Sequence, residues 1–333
     1  MTDAHIVRHT RTSRVATGVV VPLVVVLAAL PYYAPGSVTR LLVDLFALVV
    51  LASMWNLLAG YGGMISVGQQ GFLGIGAYTV LVADLVGLDP FLAVPIAALV
   101  AGLVALPTSF LVFRLYGGYF AIGTWVVAEV FRLLTVEVGA VGGGSGASVT
   151  GLSAYAPALR GAVIYWCALA ALVAAVGGVF LLMRSRLGLA LTAIRDEPTA
   201  ADSLGVEVRS AKRIVFVLAA AGCGVAGAII VLDSLRVQPD SVYGVQWSAF
   251  MIFMVVIGGL GTIEGPVIGA IVFFALQQLL SPFGSWYLVV LGAVAVLAAL
   301  FARRGLFGLL TRGGDVRLFP TGYRVRAPTE AST

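Results

Sequence analysis

The sequence predicts an all-α protein, a polytopic bundle of about ten transmembrane helices. Three observations carry that expectation. Of 333 residues, 60% are hydrophobic and only 11% are charged, where a soluble domain carries roughly 25% charged residues. Mean hydropathy is +1.06. The apolar residues fall in runs that match a hydrocarbon core about 30 Å thick, which takes about 20 residues per helix. The 41 glycines are spread through Leu, Val, Ile and Ala runs, which excludes a collagen-like or disordered chain.

Taken in order, residues 1–14 form a polar N-terminal tail with Arg8, Arg11 and Arg14. The charge pattern resembles a signal peptide. No small-residue cleavage site follows, and the first apolar run ends in Pro31-Tyr32-Tyr33, so it reads as a retained helix. Ten spans are expected near 15–33, 40–59, 64–87, 91–114, 118–136, 161–183, 214–233, 244–262, 266–281 and 285–302. They make a transmembrane body over 15–310, and a polar tail follows over 311–333. Many spans carry Gly or Ala at spacings that allow close helix contact.

Charge sets the orientation. With the N-terminus in the cytoplasm, ten spans return the C-terminus there. The inner segments then hold Arg8, Arg11, Arg14, Arg114, Arg184, Arg186, Arg195, Arg209, Lys212, Arg213, Arg303, Arg304 and the tail arginines. The outer loops hold only Arg40, Arg160 and Arg236, with Arg132 near the outer end of the fifth span. Positive charge on the inside is the pattern that orients membrane proteins. The net charge of +5 belongs to this asymmetry. No basic stripe with interleaved aromatics exists, so nucleic acid is not an expected partner, whereas membrane lipid is.

Two loops stand out. The outer loop, about 137–160, contains Gly142-Gly143-Gly144-Ser145-Gly146. The inner loop, about 184–213, is the most charged segment and holds Arg195-Asp196-Glu197-Pro198. Pro198 fits the first turn of a short helix, with Asp196 or Glu197 near its N-terminus and Gly205 as its C-cap. Such a helix either docks into a groove on a partner or forms part of a solvated loop that sets topology.

Two glycine-rich breaks follow apolar spans: Gly60-Tyr61-Gly62-Gly63 and Gly258-Gly259-Leu260-Gly261. Transporters often place interrupted helices at matching positions of two repeats, although two plain turns fit the sequence equally well. After the first break, polar side chains lie at membrane depth. Asn56, Ser66, Gln69, Gln70 and Tyr78 are candidates to line a pathway, or else to join helices by hydrogen bonds. Asp44, Asp84, Glu129, Arg132, Asp233 and Glu264 lie in or at the ends of spans, where ionisable groups are expensive and point to function. Asp84, Asp233 and Glu264 sit near span ends where water reaches them. Glu129 and Arg132, three apart, can pair on one helix face.

Catalysis is not expected. His5 and His9 lie in the N-terminal tail, and Cys167 and Cys223 lie inside apolar runs as packing residues. No phosphate-binding loop and no metal-ligand spacing is present, so no cofactor or metal is expected on this chain. An ATP-driven process therefore needs a separate motor subunit.

Several stretches together resemble the LivM-type permeases of branched-chain amino-acid ABC importers. They are Asn56-Leu57-Leu58-Ala59-Gly60-Tyr61-Gly62-Gly63, Gly74-Ile75-Gly76-Ala77-Tyr78, Gly118-Tyr119-Phe120-Ala121-Ile122 with Glu129 and Arg132, and Gly143-Gly144-Ser145-Gly146. Further on come Arg184-Ser185-Arg186-Leu187-Gly188, Ala193-Ile194-Arg195-Asp196-Glu197 with Ala200, Ala201 and Gly205, and Met254 to Ala270 around Gly258-Gly259-Leu260-Gly261. The resemblance spans about 40–310. It implies a non-enzymatic ABC importer permease in a bacterial inner membrane. It implies a second permease of the LivH type, two cytoplasmic ATPases that carry ATP and Mg, and an extracytoplasmic substrate-binding protein. It further implies ATPase coupling through Arg195, Asp196, Glu197, Ala200, Ala201 and Gly205, with transport by alternating access. The expected cargo is a branched-chain or other small amino acid. Urea or a short-chain amide is the alternative, and a stand-alone ion-coupled carrier using Glu129 or Asp44 is a further one. The chain departs from many relatives at Gln69 or Gln70, where they carry His, and at Arg303, where they carry Pro.

Overall fold

The computed structural model describes residues 5–7, 11–284, 286–301, 305–310 and 324–326. Arg8, His9, Arg303, Arg304 and most of the 311–333 tail lie outside the described residues. The helices are α1 (Arg11–Ala29), α2 (Gly36–Asn56), α3 (Gln69–Leu85), α4 (Ala93–Val112), α5 (Gly118–Glu137), α6 (Pro157–Met183), α7 (Arg186–Asp196), α8 (Pro198–Ser203), α9 (Val208–Ser234), α10 (Pro239–Val242), α11 (Gln246–Gly258), α12 (Glu264–Leu280), α13 (Trp286–Phe301) and α14 (Gly305–Leu310).

Each expected apolar run falls on a helix. Among the described residues, six segments are long and apolar enough to cross a membrane: Gly36–Tyr61, Ala93–Val112, Gly118–Glu137, Pro157–Met183, Val208–Ser234 and Pro239–Gly258. The apolar stretches Val20–Tyr32 and Glu264–Leu280 are shorter.

Boundaries differ from the expected ones for identifiable reasons. The third span was expected from residue 64, but 62–68 is not helical and α3 begins only at Gln69. The helical body begins at Arg11, before residue 15. The eighth span, expected over 244–262, holds α11 over Gln246–Gly258 only, because Gly259 at φ 131 ends it. Helix α9 begins at Val208, so Arg209, Lys212 and Arg213 ride on its first turns. There the Arg213 guanidinium lies 4.0 Å from the Phe110 ring centroid, a cation–π contact.

The 184–213 loop is more structured than one short helix. Ser185 caps α7 by accepting the Leu187 N–H, and Glu197 caps α8 by accepting the Thr199 N–H. Pro198 occupies the first turn of α8, and Gly205 follows it at φ 81. Two helices, not one, therefore stand between α6 and α9.

Helices α2 and α9 form the centre. In Gly36–Tyr61, 78% of the apolar window is buried, against 17% for α5. Helix α9 packs on α2, α3, α4 and α6. Small residues make this possible. A Cβ on Gly224 would lie 2.6 Å from the Ala101 Cβ and 2.7 Å from the Ala97 carbonyl oxygen, so these helices meet backbone to backbone. Helix α1 attaches at the edge, where Tyr165 Oη and Trp166 Nε1 donate to the carbonyls of Leu27 and Ala28.

The all-α expectation needs a small amendment. Among the described residues four short strands are present: β1 (His5–Val7), β2 (Ala147–Ser148), β3 (Arg236–Val237) and β4 (Arg324–Arg326). They pair antiparallel, β1 with β4 and β2 with β3. The second pair pins the glycine-rich 137–160 loop onto the end of α9. Asp84 adds a second anchor. Its carboxylate accepts the N–H groups of Thr150 and Gly151, each at 2.8 Å. This group is thus an anchor rather than merely a wet span end. Asp89 accepts the Tyr155 hydroxyl at 2.5 Å, and that hydrogen bond holds the phenol above its usual pKa.

Candidate functional site

The two glycine-rich breaks meet in space at the α7–α8 end of the bundle. Helix α2 does not stop at Asn56. It widens into a π-turn over Leu57–Tyr61 before the chain becomes irregular. A π-turn frees backbone carbonyls from the regular ladder, and such turns often mark functional positions. The second break lies between α11 and α12, with Gly259 and Gly261 both at positive φ, which glycine adopts without a steric penalty.

Asn56 joins the breaks. Its Nδ2 donates to the Thr262 carbonyl at 2.8 Å, and its Oδ1 accepts the Gly261 N–H at 2.9 Å. The side chain is 1% exposed, so both bonds are shielded from competing water. The backbones touch directly as well: a Cβ on Gly60 would lie 2.6 Å from the Gly261 nitrogen. Thr262 then starts α12, with its hydroxyl donating to Gly259 O and accepting the Gly265 N–H. The carboxylate of Asp196 lies 3.5 Å from Arg195 Nε.

Arg195, in the last turn of α7, reaches this junction. Its Nη1 donates to the Gly60 carbonyl at 3.1 Å. A Cβ on Gly261 would lie 3.0 Å from the same nitrogen, and one on Gly63 would lie 3.7 Å from the Arg195 Cα. A positive group at an exposed carbonyl is a charge-assisted hydrogen bond, stronger than a neutral one. The arrangement therefore ties the α7–α8 pair to the first break by a hydrogen bond and brings the same side chain against the second. Asp196, Glu197, Ala200 and Gly205 lie on the surface of this pair, while Ala201 packs inward at 1% exposed.

The other polar candidates sit elsewhere. Trp55 Nε1 donates to the Ser66 carbonyl at 2.8 Å, and Ser66 Oγ accepts the Gly68 N–H at 3.2 Å. Thr124 Oγ1 accepts the Val67 N–H at 3.2 Å. Gln69 Oε1 faces the Cys223 thiol at 3.5 Å, and Gln70 Oε1 accepts the Ser248 hydroxyl. Ser66, Gln69 and Gln70 are each no more than 1% exposed. Within the irregular 62–68 stretch Gly62, Met64, Ser66 and Gly68 are buried against protein, as the bilayer demands of broken backbone, while Gly63 and Ile65 are exposed. Tyr78 stacks on Tyr243 with ring centroids 6.0 Å apart, and its hydroxyl is buried with no hydrogen-bond partner among the described residues. Glu129 lies on α5 toward the opposite end and receives two hydrogen bonds from Arg132, at 2.8 and 2.6 Å. Arg132 also reaches Asp240 at 2.7 Å.

The six pathway candidates therefore do not converge. Asn56 joins the breaks, Ser66, Gln69 and Gln70 lock the core, Tyr78 is buried beside α10 and Glu129 lies at a rim. Sequence reasoning paired Glu129 with Arg132 but missed Asp240, which lies 108 residues away. It also missed Thr262 and the contact of Arg195 with Gly60. One available signal was that both breaks and the arginine lie at span ends on the same predicted side.

Among the described residues, cavities open between helices, two of them walled in part by α2 and α9. One of about 290 Å³ is walled by α2, α6 and α9 and is apolar throughout. The other, of about 240 Å³, is lined by groups of α2, α9, α11 and α12 and includes Asp44. None of the six candidates lines either cavity.

Comparison with known proteins places this geometry. The family described as branched-chain amino acid transport system / permease component matches residues 37–299. The chain is 29% identical over 303 residues to the high-affinity branched-chain amino acid transport system permease protein LivM of Escherichia coli (strain K12), covering 82% of this chain and 71% of that protein. It is 28% identical, with the same coverage, to the protein of the same description from Salmonella typhimurium (strain LT2). No solved structure matches the chain significantly.

Proposed function

Because the chain belongs to the branched-chain amino acid transport permease family, we propose that it is the membrane-spanning subunit of an ATP-driven importer of branched-chain or other small amino acids. In this reading ten helices cross the bacterial inner membrane with both termini in the cytoplasm. Pairing of β1 with β4, which brings the two ends of the chain together, supports placing them on one side. The α7–α8 pair faces the cytoplasm and docks on one of two partner ATPases, which bind ATP and Mg. A second permease completes the path, and a binding protein delivers cargo from outside. This chain binds no cofactor of its own.

The contact of Arg195 with Gly60 carries the proposal. A docking element that merely floated in solvent would have no need of a hydrogen bond to a broken transmembrane helix. Through Arg195, a displacement of α7–α8 reaches the Gly60 carbonyl and, by way of Asn56, the Gly261–Thr262 backbone. Alternating access then requires that nucleotide-loaded ATPases bind one arrangement of the α7–α8 pair more tightly than the other. Pairing of Glu129 with Arg132 speaks against a carrier that uses this carboxylate as its coupling group.

The test is to replace Arg195, Asp196 and Glu197 together and measure ATPase co-purification and amino-acid uptake. Loss of either is expected. Unchanged assembly with unchanged uptake would sink the docking proposal.

A further inference from the structure

The cavity of about 240 Å³ at the end of the bundle away from α7 has a composition that lipid does not explain. Asp44 on α2 and Gln277, Gln278 and Ser281 at the end of α12 face Trp247 and Phe274 across it. Asp44 sits two turns inside a membrane-spanning helix. A carboxylate and two amides on a lipid-facing surface at that depth would be expensive. This surface therefore looks onto water or protein rather than acyl chains.

The carboxylate forms no ion pair of its own, although the charge of Arg40 reaches it through space. Arg40, at i−4 on the same helix face, is paired instead with Asp233 at 3.4 Å. Among the described residues, no hydrogen bond or ion pair reaches Asp44, and the side-chain amides of Gln277 and Gln278 make none. Three strong hydrogen-bonding side chains thus stand unused in one niche, walled by aromatic rings that favour a cation at their faces. At about 30 Å³ per water-sized group, the volume holds roughly eight such groups, about the bulk of a small aliphatic amino acid.

Resting on the reading of the chain as an amino-acid permease, we propose that this cavity is a cargo subsite, in which Asp44 receives the ammonium group. The amide N–H groups of Gln277 and Gln278 are then free to donate to the cargo carboxylate, and Trp247 and Phe274 cover its aliphatic part. No bond is made or broken. The site selects a zwitterion over a neutral amide such as urea by pairing both charges at once.

The test uses the complete transporter reconstituted in vesicles of phosphatidylglycerol and phosphatidylcholine. Leucine uptake is measured with 4-methylpentanoate, the same skeleton without the amino group, as competitor. Absence of uptake of leucine and of other small amino acids by the wild type would overturn the importer reading itself. Given wild-type uptake, Asp44→Asn is expected to raise KM by roughly ten- to a hundredfold, the loss that goes with one charged hydrogen bond. Asp44→Glu is expected to recover part of that loss, and the preference for leucine over 4-methylpentanoate is expected to collapse in Asp44→Asn. An unchanged KM, or a preference that survives, overturns the subsite. So does an Asp44 defect that appears only when phosphatidylethanolamine is added, which would assign the niche to a lipid ammonium.

If Asp44→Asn fails to assemble, the wild type still answers. Labelling of Asp44 by a hydrophobic carbodiimide, read by mass spectrometry, is expected to fall severalfold with leucine and not with 4-methylpentanoate. Labelling indifferent to leucine overturns the proposal and assigns Asp44 to a cationic side chain of the second permease.

Discussion

Replacing Asn56 by Ala tests the junction of the two breaks directly. The side chain is 1% exposed and makes one bond as donor, to Thr262 O at 2.8 Å, and one as acceptor, from Gly261 N–H at 2.9 Å. Its removal leaves both backbone groups without that partner. An unsatisfied buried polar group costs about 1–3 kcal/mol, so the pair sets a range of ~2–6 kcal/mol. Water entering the space vacated by the amide moves the expectation toward the lower half, ~2–4 kcal/mol. Asn56→Asp separates the two bonds. The carboxylate still accepts from Gly261 N–H, but it repels the Thr262 carbonyl, to which it cannot donate. The assay is thermal inactivation of the purified complex in nanodiscs, with the ratio of amino acid moved to ATP hydrolysed measured alongside. Asn56→Ala should inactivate at a clearly lower temperature and with a reduced ratio. A variant with wild-type thermal stability and a wild-type ratio would refute the claim that this amide joins the breaks.

Other perturbations follow from the same geometry. Gly60→Ala places a Cβ 2.6 Å from the Gly261 nitrogen and should force the breaks apart, seen as lower yield of folded protein than Gly102→Ala, whose Cβ has ordinary 3.6 Å contacts. Asp84→Ala removes the acceptor of Thr150 and Gly151. It should speed proteolysis or hydrogen exchange within 137–156 while leaving α7–α8 unchanged. Glu129→Gln weakens a partly exposed pair with Arg132. Exposed pairs contribute about 0–1 kcal/mol, so abundance and uptake should stay near wild type, and abolished uptake would revive the ion-coupled carrier.

Much of the fold is legible in the sequence because one physical rule governs it. Backbone polar groups in lipid must be satisfied within a helix, so runs of apolar residues locate helices even without homologous structures. Pro198 and Gly205 likewise bound α8 by local backbone chemistry. What local chemistry does not encode is which distant groups meet. Gln69 and Gln70 read as pathway residues because amides at membrane depth are unusual. Yet Cys223 and Ser248, far along the chain, turn them into internal fasteners. The irregular 62–68 stretch stays hidden for a related reason. Its hydrogen bonds are completed by Trp55 and Thr124, and no periodicity in the segment itself reveals that. Asp44 reads as ambiguous until the cavity beside it is seen.

In the proposed mechanism Arg195 transmits motion of the α7–α8 pair to the broken helices. Arg195→Met, which keeps the length and apolar stem but removes the donor to Gly60 O, tests it most directly. In the fully assembled transporter, ATP hydrolysis and leucine uptake are measured in the same vesicles. Hydrolysis is expected to persist while leucine moved per ATP falls at least tenfold. An unchanged amount of leucine per ATP would contradict it.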